Sequence, residues 1–124
     1  MYKRQGKHSP RAKSYHKYMN AVRWLYRASL VNQGLSSDVL PEGEIVEMDF
    51  GIEIESGSKL MLSRVGQYHK KKPDWDNLCK AFLDSLFYKR GMDDSHIYHV
   101  GKVTKRWVAQ GEGYISCTFF ISCD

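Results

Sequence analysis

The first 37 residues contain no aspartate or glutamate, although the whole chain of 124 residues has 14 acidic side chains. Basic side chains fill the same stretch: Lys3, Arg4, Lys7, Arg11, Lys13, Lys17, Arg23 and Arg27. An acid-free segment in a chain of net charge +5 favours an anionic partner. We predict that residues 1–10 form a basic arm and that nucleic-acid phosphates contact Lys3, Arg4, Lys7, Arg11, Lys70, Lys71 and Lys72. A solvated helix face is the alternative interpretation of the basic residues after position 10.

Long apolar runs and paired cysteines are also missing. No apolar stretch approaches the 18 residues of a membrane span, and no charged-then-apolar leader opens the chain. The three cysteines, Cys79, Cys117 and Cys123, are odd in number and lack CxxC spacing, so we expect reduced thiols in a cytoplasmic protein. The length predicts one domain over residues 1–124.

The hydrophobic periodicity predicts the order helix, strand, helix, strand, strand. The first helix should span residues 11–32, with Tyr15, Met19, Val22, Leu25, Tyr26 and Leu30 on its apolar face. Alternation predicts strands near residues 45–55, 97–107 and 113–121, with a bulge or bend at Gly51. This order indicates an α+β fold in which two helices cover a small mixed β-sheet.

The central helix carries the most informative segment, Lys71-Lys72-Pro73-Asp74-Trp75-Asp76-Asn77-Leu78-Cys79-Lys80. Apolar residues recur at helical spacing from Trp75 to Phe87, which predicts a buried stripe that includes Trp75. Pro73 and Asp74 suit the start of the helix, and Gly91 suits a left-handed residue at its end. The roles of Trp24 and Trp107 stay open between core packing and base stacking.

Two close aspartates and a third downstream are typical of a Mg²⁺ site, because this ion prefers hard oxygen ligands. The candidates are Asp74, Asp76 and Asp94, with Lys80 one helical turn after Asp76. A purely structural interpretation is also possible: Asp74 as an N-cap, an Asp76–Lys80 ion pair and a polar turn at Asp93-Asp94. A zinc site from His96, His99, Cys117 and Cys123 has suitable atoms but loose spacing and is less favoured.

The residues from Lys72 to Trp107 resemble the RusA family of Holliday junction resolvases. The shared features are Lys72-Pro73-Asp74-Trp75-Asp76-Asn77-Leu78, then Lys80, then Asp93-Asp94 with eighteen residues from Asp76 to Asp94. The resemblance implies a homodimeric, Mg²⁺- or Mn²⁺-dependent endonuclease that places paired nicks across four-way DNA junctions in recombination and repair. It implies metal ligands Asp74, Asp76 and Asp94 and a catalytic Lys80, with Asn77 and Asp93 in support. A bacterial or phage-infected cell, in association with the nucleoid, is the location it implies.

Two features of the sequence bear on the sheet and on the site. Family members usually start with an apolar strand, whereas this sequence opens with basic residues, so we expect a sheet that is one strand smaller, a sheet that a partner completes, or an abbreviated copy. A central helix of about 14 residues is about 20 Å long, which separates its start from Asp94 unless the next strand runs back or a partner contributes. The alternatives are a non-catalytic nucleic-acid-binding or regulatory module, and a metal-dependent nuclease for other branched DNA or RNA.

Overall fold

The computed structural model describes residues 10–90 and 94–121, with backbone only for residues 10–12 and 94. Its elements are α1 (Pro10–Asn32), β1 (Gly43–Glu53), α2 (Lys59–Leu62), α3 (Trp75–Phe87), a 3₁₀ helix (Asp94–His96), β2 (Ile97–Val108) and β3 (Tyr114–Phe119). The predicted order and the α+β class with a small mixed sheet are confirmed. Two compact units divide the chain, and α3 runs from one into the other after Cys79.

The first unit comprises residues 1–40 and 80–94 and contains α1 and most of α3. Helix α1 buries Met19, Val22 and Leu30, while α3 buries Phe82, Leu83, Leu86 and Phe87. The rings of Tyr26 and Phe82 meet edge to face at 6.5 Å, and the Arg23 guanidinium lies 5.1 Å from the Tyr88 ring centroid. The two helices therefore pack on each other, and Arg23 belongs to that packing rather than to a wholly solvated basic face.

The second unit comprises residues 41–79 and 95–124 and contains the sheet. Its strand order is β2-β1-β3, with β1 parallel to β2 and antiparallel to β3. The central strand buries Ile45, Met48 and Phe50, and Trp107 of β2 is also buried. Along β3, Ile115, Cys117 and Phe119 are partly buried while Tyr114, Ser116 and Thr118 are exposed, as the alternation predicted.

The outer edge of β2 is covered by residues 66–69. Gly66 donates a backbone hydrogen bond to Trp107, Trp107 donates to Gln67, and His69 donates to Lys105, each at 2.9 Å. Tyr68 and Arg106 form an antiparallel bridge at the centre of this pairing. These hydrogen bonds satisfy backbone N–H and C=O groups at the edge of β2 that could otherwise pair with a strand of another chain.

Three details of the sequence prediction are wrong. The register with β3 shifts between Ile45 and Glu47, not at Gly51, which pairs in register with Tyr114. The close approach of the Tyr114 ring, which a Cβ at position 51 would overlap, accounts for the glycine instead. Leu25 is 61% exposed, and Trp75, predicted to be buried, is 56% exposed. Periodicity predicts which face of a helix a residue lies on. It does not predict how far along the helix that face is covered, and the first turn of α3, with Trp75, is not covered.

The end of α3 also differs from the prediction. The helix ends at Phe87, and the left-handed residue is Lys89, with φ of 54°. Gly91 lies outside the described residues. None of the helices within residues 10–90 and 94–121 has the length and apolar character needed to cross a membrane.

Candidate active site

The carboxylates of Asp74 and Asp76 lie at the exposed start of α3. The Asp74 carbonyl accepts the first helical hydrogen bond, from the Leu78 amide at 3.1 Å, which places Asp74 at the N-cap position. The Asp76 carboxylate accepts from the Asn77 amide at 3.0 Å. Within the described part of the chain, no hydrogen bond or ion pair occupies the Asp74 carboxylate. A helix start favours negative charge, which suits two carboxylates at this exposed position.

Lys105 fixes the loop that leads into this helix. Its side-chain ammonium donates to the carbonyl oxygens of Lys71 and Pro73, both at 2.8 Å. Lys105 lies on β2, and its backbone carbonyl accepts the hydrogen bond from the His69 amide. A charged donor bound to two neutral carbonyls makes strong hydrogen bonds. The strand therefore holds the residue immediately before Asp74, a role that the sequence pattern did not indicate.

His69 forms a buried support beside this loop. It is 5% exposed, and its ring centroid lies 4.2 Å from that of Trp107. Burial lowers the pKa of His69, and the positive charges of Lys105 and Lys71 lower it further. His69 is therefore a neutral packing residue in this environment, not a cation that would contact phosphate.

Lys80 extends from the next turn of α3 into solvent. Its ammonium lies 3.2 Å from a carboxylate oxygen of Asp84, the residue one turn after Lys80, whereas the predicted partner, Asp76, lies one turn before it. Tyr15 of α1 donates a hydrogen bond of 3.1 Å to the other Asp84 oxygen. Burial and the Asp84 charge raise the pKa of Tyr15 to about 12, which keeps it a donor at neutral pH. Asp84 therefore links α1 to the lysine predicted to be catalytic.

Several predicted site residues lie outside the described part of the chain. They are Lys3, Arg4, Lys7 and Asp93, together with the side chains of Arg11 and Asp94. The backbone of Asp94 begins the 3₁₀ helix that leads into β2. Lys70, Lys71 and Lys72 are described, and all three are exposed. The grouping of Asp94 with Asp74 and Asp76 stays a prediction.

The described side chains do not support the zinc alternative. They contain no group of three His, Cys, Asp or Glu residues that could hold a metal ion, and Cys123 and Asp94 lie outside that set. Cys79 and Cys117 are free thiols, as predicted for these two. Burial raises the pKa of Cys79 to about 11 and that of Cys117 to about 12, so neither readily provides the thiolate that zinc requires.

Comparison with known protein families identifies a match over most of the chain. The family model described as endodeoxyribonuclease RusA matches residues 1–115 of the 124. No curated protein and no solved structure matches the chain. The matched region includes α1, the Asp74–Lys80 segment and both Asp93 and Asp94.

Proposed function

The chain belongs to the RusA family of endodeoxyribonucleases, and on that premise we propose that it resolves four-way DNA junctions by metal-dependent paired nicking. Family membership implies endodeoxyribonuclease activity on Holliday junctions, and therefore branched DNA as the substrate. The observation that most supports the proposal is the exposed Asp74-Trp75-Asp76 start of α3, where one carboxylate is unengaged among the described residues. A carboxylate kept at a helix start without a partner is suited to bind a ligand.

The residues fit a divalent cation such as Mg²⁺ or Mn²⁺. Asp74 and Asp76 offer hard oxygen donors at solvent-exposed positions, and Mg²⁺ is commonly held by one or two carboxylates together with waters and a substrate phosphate. In this proposal Asp94 is the third carboxylate. When bound, the cation would neutralise charge at the reacting phosphate and lower the pKa of a water.

The protein's own cations complete the proposed mechanism. Lys80 would place its ammonium near the reacting phosphate and stabilise negative charge that develops there. Asp84 and Tyr15 restrict where Lys80 can point, because the ion pair and the hydrogen bond tie it to α1. Lys105 would hold the carbonyl of Pro73 and so keep Asp74 in a fixed direction. Asn77 and Asp93 have supporting roles in the proposal.

The proposed active form is a homodimer, because a two-fold assembly suits a substrate with near two-fold symmetry. The apolar stripe of α3 does not provide the interface, since Phe82, Leu83, Leu86 and Phe87 are already buried within one chain. Trp24 and Val31 of α1 are 69% and 59% exposed and are seven residues apart, so they share a face of the helix. We assign the dimer contact to this face of α1.

The basic residues would supply affinity rather than chemistry. Lys70, Lys71 and Lys72 lead directly to Asp74, and in the proposal Lys3, Arg4, Lys7 and Arg11 contact flanking phosphates. Such contacts release counterions, so binding should weaken as salt rises. In a cell, this affinity would keep the protein with nucleoid DNA.

The decisive experiment compares a synthetic four-way junction, a duplex and a single strand of the same sequence, each with Mg²⁺ and with EDTA. We expect symmetric nicks in the junction alone, only with Mg²⁺, from a protein whose solution mass is that of a dimer. Metal-independent binding without any cutting would support the non-catalytic module instead. Equal cutting of RNA or of other branched DNA would support the broader nuclease.

A further inference from the structure

The second unit contains an open cleft of about 610 Å³ that neither the carboxylates nor Lys80 line. Its volume falls within the range of about 300–1,000 Å³ that is typical of sites for small organic ligands. The functional lining consists of four cations and two aromatic rings: Arg64, Lys70, Lys71, Arg106, Tyr68 and Trp107. A lone phosphate would occupy only a small part of this space.

The cleft has a strong positive charge. No acidic residue lines it, and within the described chain no carboxylate pairs with Arg64, Lys70 or Lys71. Arg106 alone is compensated, by Asp49 at 3.4 Å, and that charge raises the pKa of Arg106. Three uncompensated cations around one cleft favour an anionic ligand.

The aromatic rings give the cleft a flat apolar platform. Tyr68 is 65% exposed, and the Arg106 guanidinium lies 5.8 Å from its ring centroid. Trp107 also lines the cleft but is only 5% exposed, and the Arg64 guanidinium lies 5.9 Å from its ring centroid. An exposed tyrosine ring with an arginine guanidinium next to it is suited to stack with a base, while neighbouring lysines contact the phosphates of the nucleic-acid backbone.

The backbone of the platform is paired with β2 both before and after Tyr68 in the sequence. Tyr68 bridges Arg106, and hydrogen bonds from Gly66 and Trp107 lie next to that bridge. A site fixed on a strand edge is preorganised and loses little freedom when a ligand binds.

The cleft also lies close to the predicted active site along the chain. Lys71 lines the cleft, Lys105 binds its carbonyl, and Asp74 follows three residues later. Three residues span at most about 10 Å, which is the length of only a few nucleotide steps.

We propose that this cleft, defined by Arg64, Tyr68, Lys70, Lys71 and Arg106, binds one unpaired nucleotide next to the cleaved phosphate. The base stacks on Tyr68, and its phosphates contact Arg64, Lys70 and Lys71. The cleft thereby selects DNA in which a nucleotide near the cut can leave the stack, as at the crossover of a junction. This inference rests on the proposed function, because it takes the substrate to be branched DNA.

The test measures binding by fluorescence anisotropy in EDTA, so that no cutting occurs, with an oligothymidine strand, a duplex and a four-way junction as probes. Tyr68→Ala should weaken the strand and the junction about tenfold, the effect of losing one stacked base, and leave the duplex unchanged. Tyr68→Phe should bind like the unmodified protein. Tyr98→Ala is the matched control, since Tyr98 is likewise an exposed tyrosine (82%) but lies on β2 outside the cleft.

A second measurement uses a junction that carries 5-iodouracil at the crossover. Irradiation should cross-link the base to the tryptic peptide 65–70, which contains Tyr68 and no other tyrosine.

Arg64→Gln should lower the log–log slope of affinity against salt by about 0.7–0.9, as expected for the loss of one phosphate contact.

Equal weakening of duplex and junction by Tyr68→Ala, or no more weakening than Tyr98→Ala causes, overturns the nucleotide cleft. Cross-linking elsewhere on the chain overturns it as well. The proposed function is judged separately by junction cutting with Mg²⁺. If the protein cuts junctions and Tyr68→Ala binds normally, the nucleotide cleft is rejected and the nuclease proposal stands. If binding depends on Tyr68 but the protein never cuts, the nucleotide cleft stands and the nuclease proposal is rejected.

Discussion

The ammonium group of Lys105 lies 2.8 Å from the carbonyl oxygen of Pro73, the residue that directly precedes Asp74. A second bond of equal length reaches the carbonyl of Lys71. Lys105 is thus a positioning residue for the loop, and its neutral replacement Lys105→Met should release both carbonyls. A charge-assisted hydrogen bond contributes about 1.5–3 kcal/mol, so we expect junction cutting to fall about tenfold or more while the fold is retained.

Lys102→Met is the control for that prediction. Lys102 is on the same strand, and it pairs with Glu47 at 3.9 Å, an exposed ion pair that contributes little to stability. Both variants lose one positive charge, so their junction affinities should fall alike. Cutting rates measured at saturating junction separate the effect on positioning from the effect on affinity. Equal cutting by the two variants would show that Lys105 only attracts DNA.

The sequence predicted the order of the elements because each has a clear local period. The alternation of β3 and the helical spacing of Phe82, Leu83 and Leu86 depend on neighbours in the sequence, and the structure confirms both. The pairing of Tyr68 with Arg106 joins residues 38 positions apart, in a segment with no period. For that reason the basic cleft and the role of Lys105 could not be predicted from local pattern.

The candidate site shows the same division. The spacing of Asp74, Asp76 and Lys80 is local, so the pattern could predict that they lie at the start and in the first turns of one helix. Whether a side chain at a helix end is buried depends on what packs there, which explains why the burial predicted for Trp75 was wrong. The partner of Lys80 also depends on rotamer choice between two acidic residues one turn away on either side.

Trp75→Ala tests whether this tryptophan contacts DNA rather than core. Because Trp75 is 56% exposed and alanine is a good helix former, we expect a loss of less than about 1 kcal/mol in the free energy of unfolding. Junction affinity should fall about fivefold, because an exposed ring between the two carboxylates proposed to hold the cation can stack on a base. Trp107→Ala is the contrast: it is 5% exposed and should lose about 3–5 kcal/mol. Urea unfolding and anisotropy measure both, and a large stability loss in Trp75→Ala would contradict the surface role.

The buried thiols predict a specific pH dependence. The pKa of Cys79 is about 11 and that of Cys117 about 12, while unfolded cysteine ionises near 9. A raised pKa in the folded state stabilises the protein below pH 9, and this contribution is lost as the pH rises toward 11. In a Cys123→Ser background, iodoacetamide at pH 8 should therefore modify the folded protein about a hundredfold more slowly than the urea-unfolded protein. Replacing Cys79 and Cys117 with alanine should make the free energy of unfolding less dependent on pH between 9 and 11.

The carboxylates at the start of α3 provide the test that separates chemistry from folding. Asp74→Asn and Asp76→Asn keep the side-chain shape, and asparagine is also a good N-cap at position 74. If the carboxylates hold a cation, each variant should lose Mg²⁺-dependent cutting, keep or strengthen junction binding, and melt at the same or a slightly higher temperature because mutual repulsion is relieved. Asp94→Asn should behave in the same way, and Lys80→Ala should bind and fail to cut.

Glu44→Gln is the matched control, because it removes an exposed negative charge on β1 opposite His99, whereas Lys105, which binds the Pro73 carbonyl, lies opposite Phe50. It should account for any gain in affinity that comes from net charge alone, and it should cut normally. The structural interpretation predicts a different pattern for Asp76→Asn: a loss of a few tenths of a kcal/mol in helix stability and full activity. Melting temperature, junction affinity and cutting rate are therefore measured on the same set of variants. Full cutting by Asp76→Asn with a lowered melting temperature would refute the metal site, since the carboxylate would then serve the helix and not the reaction.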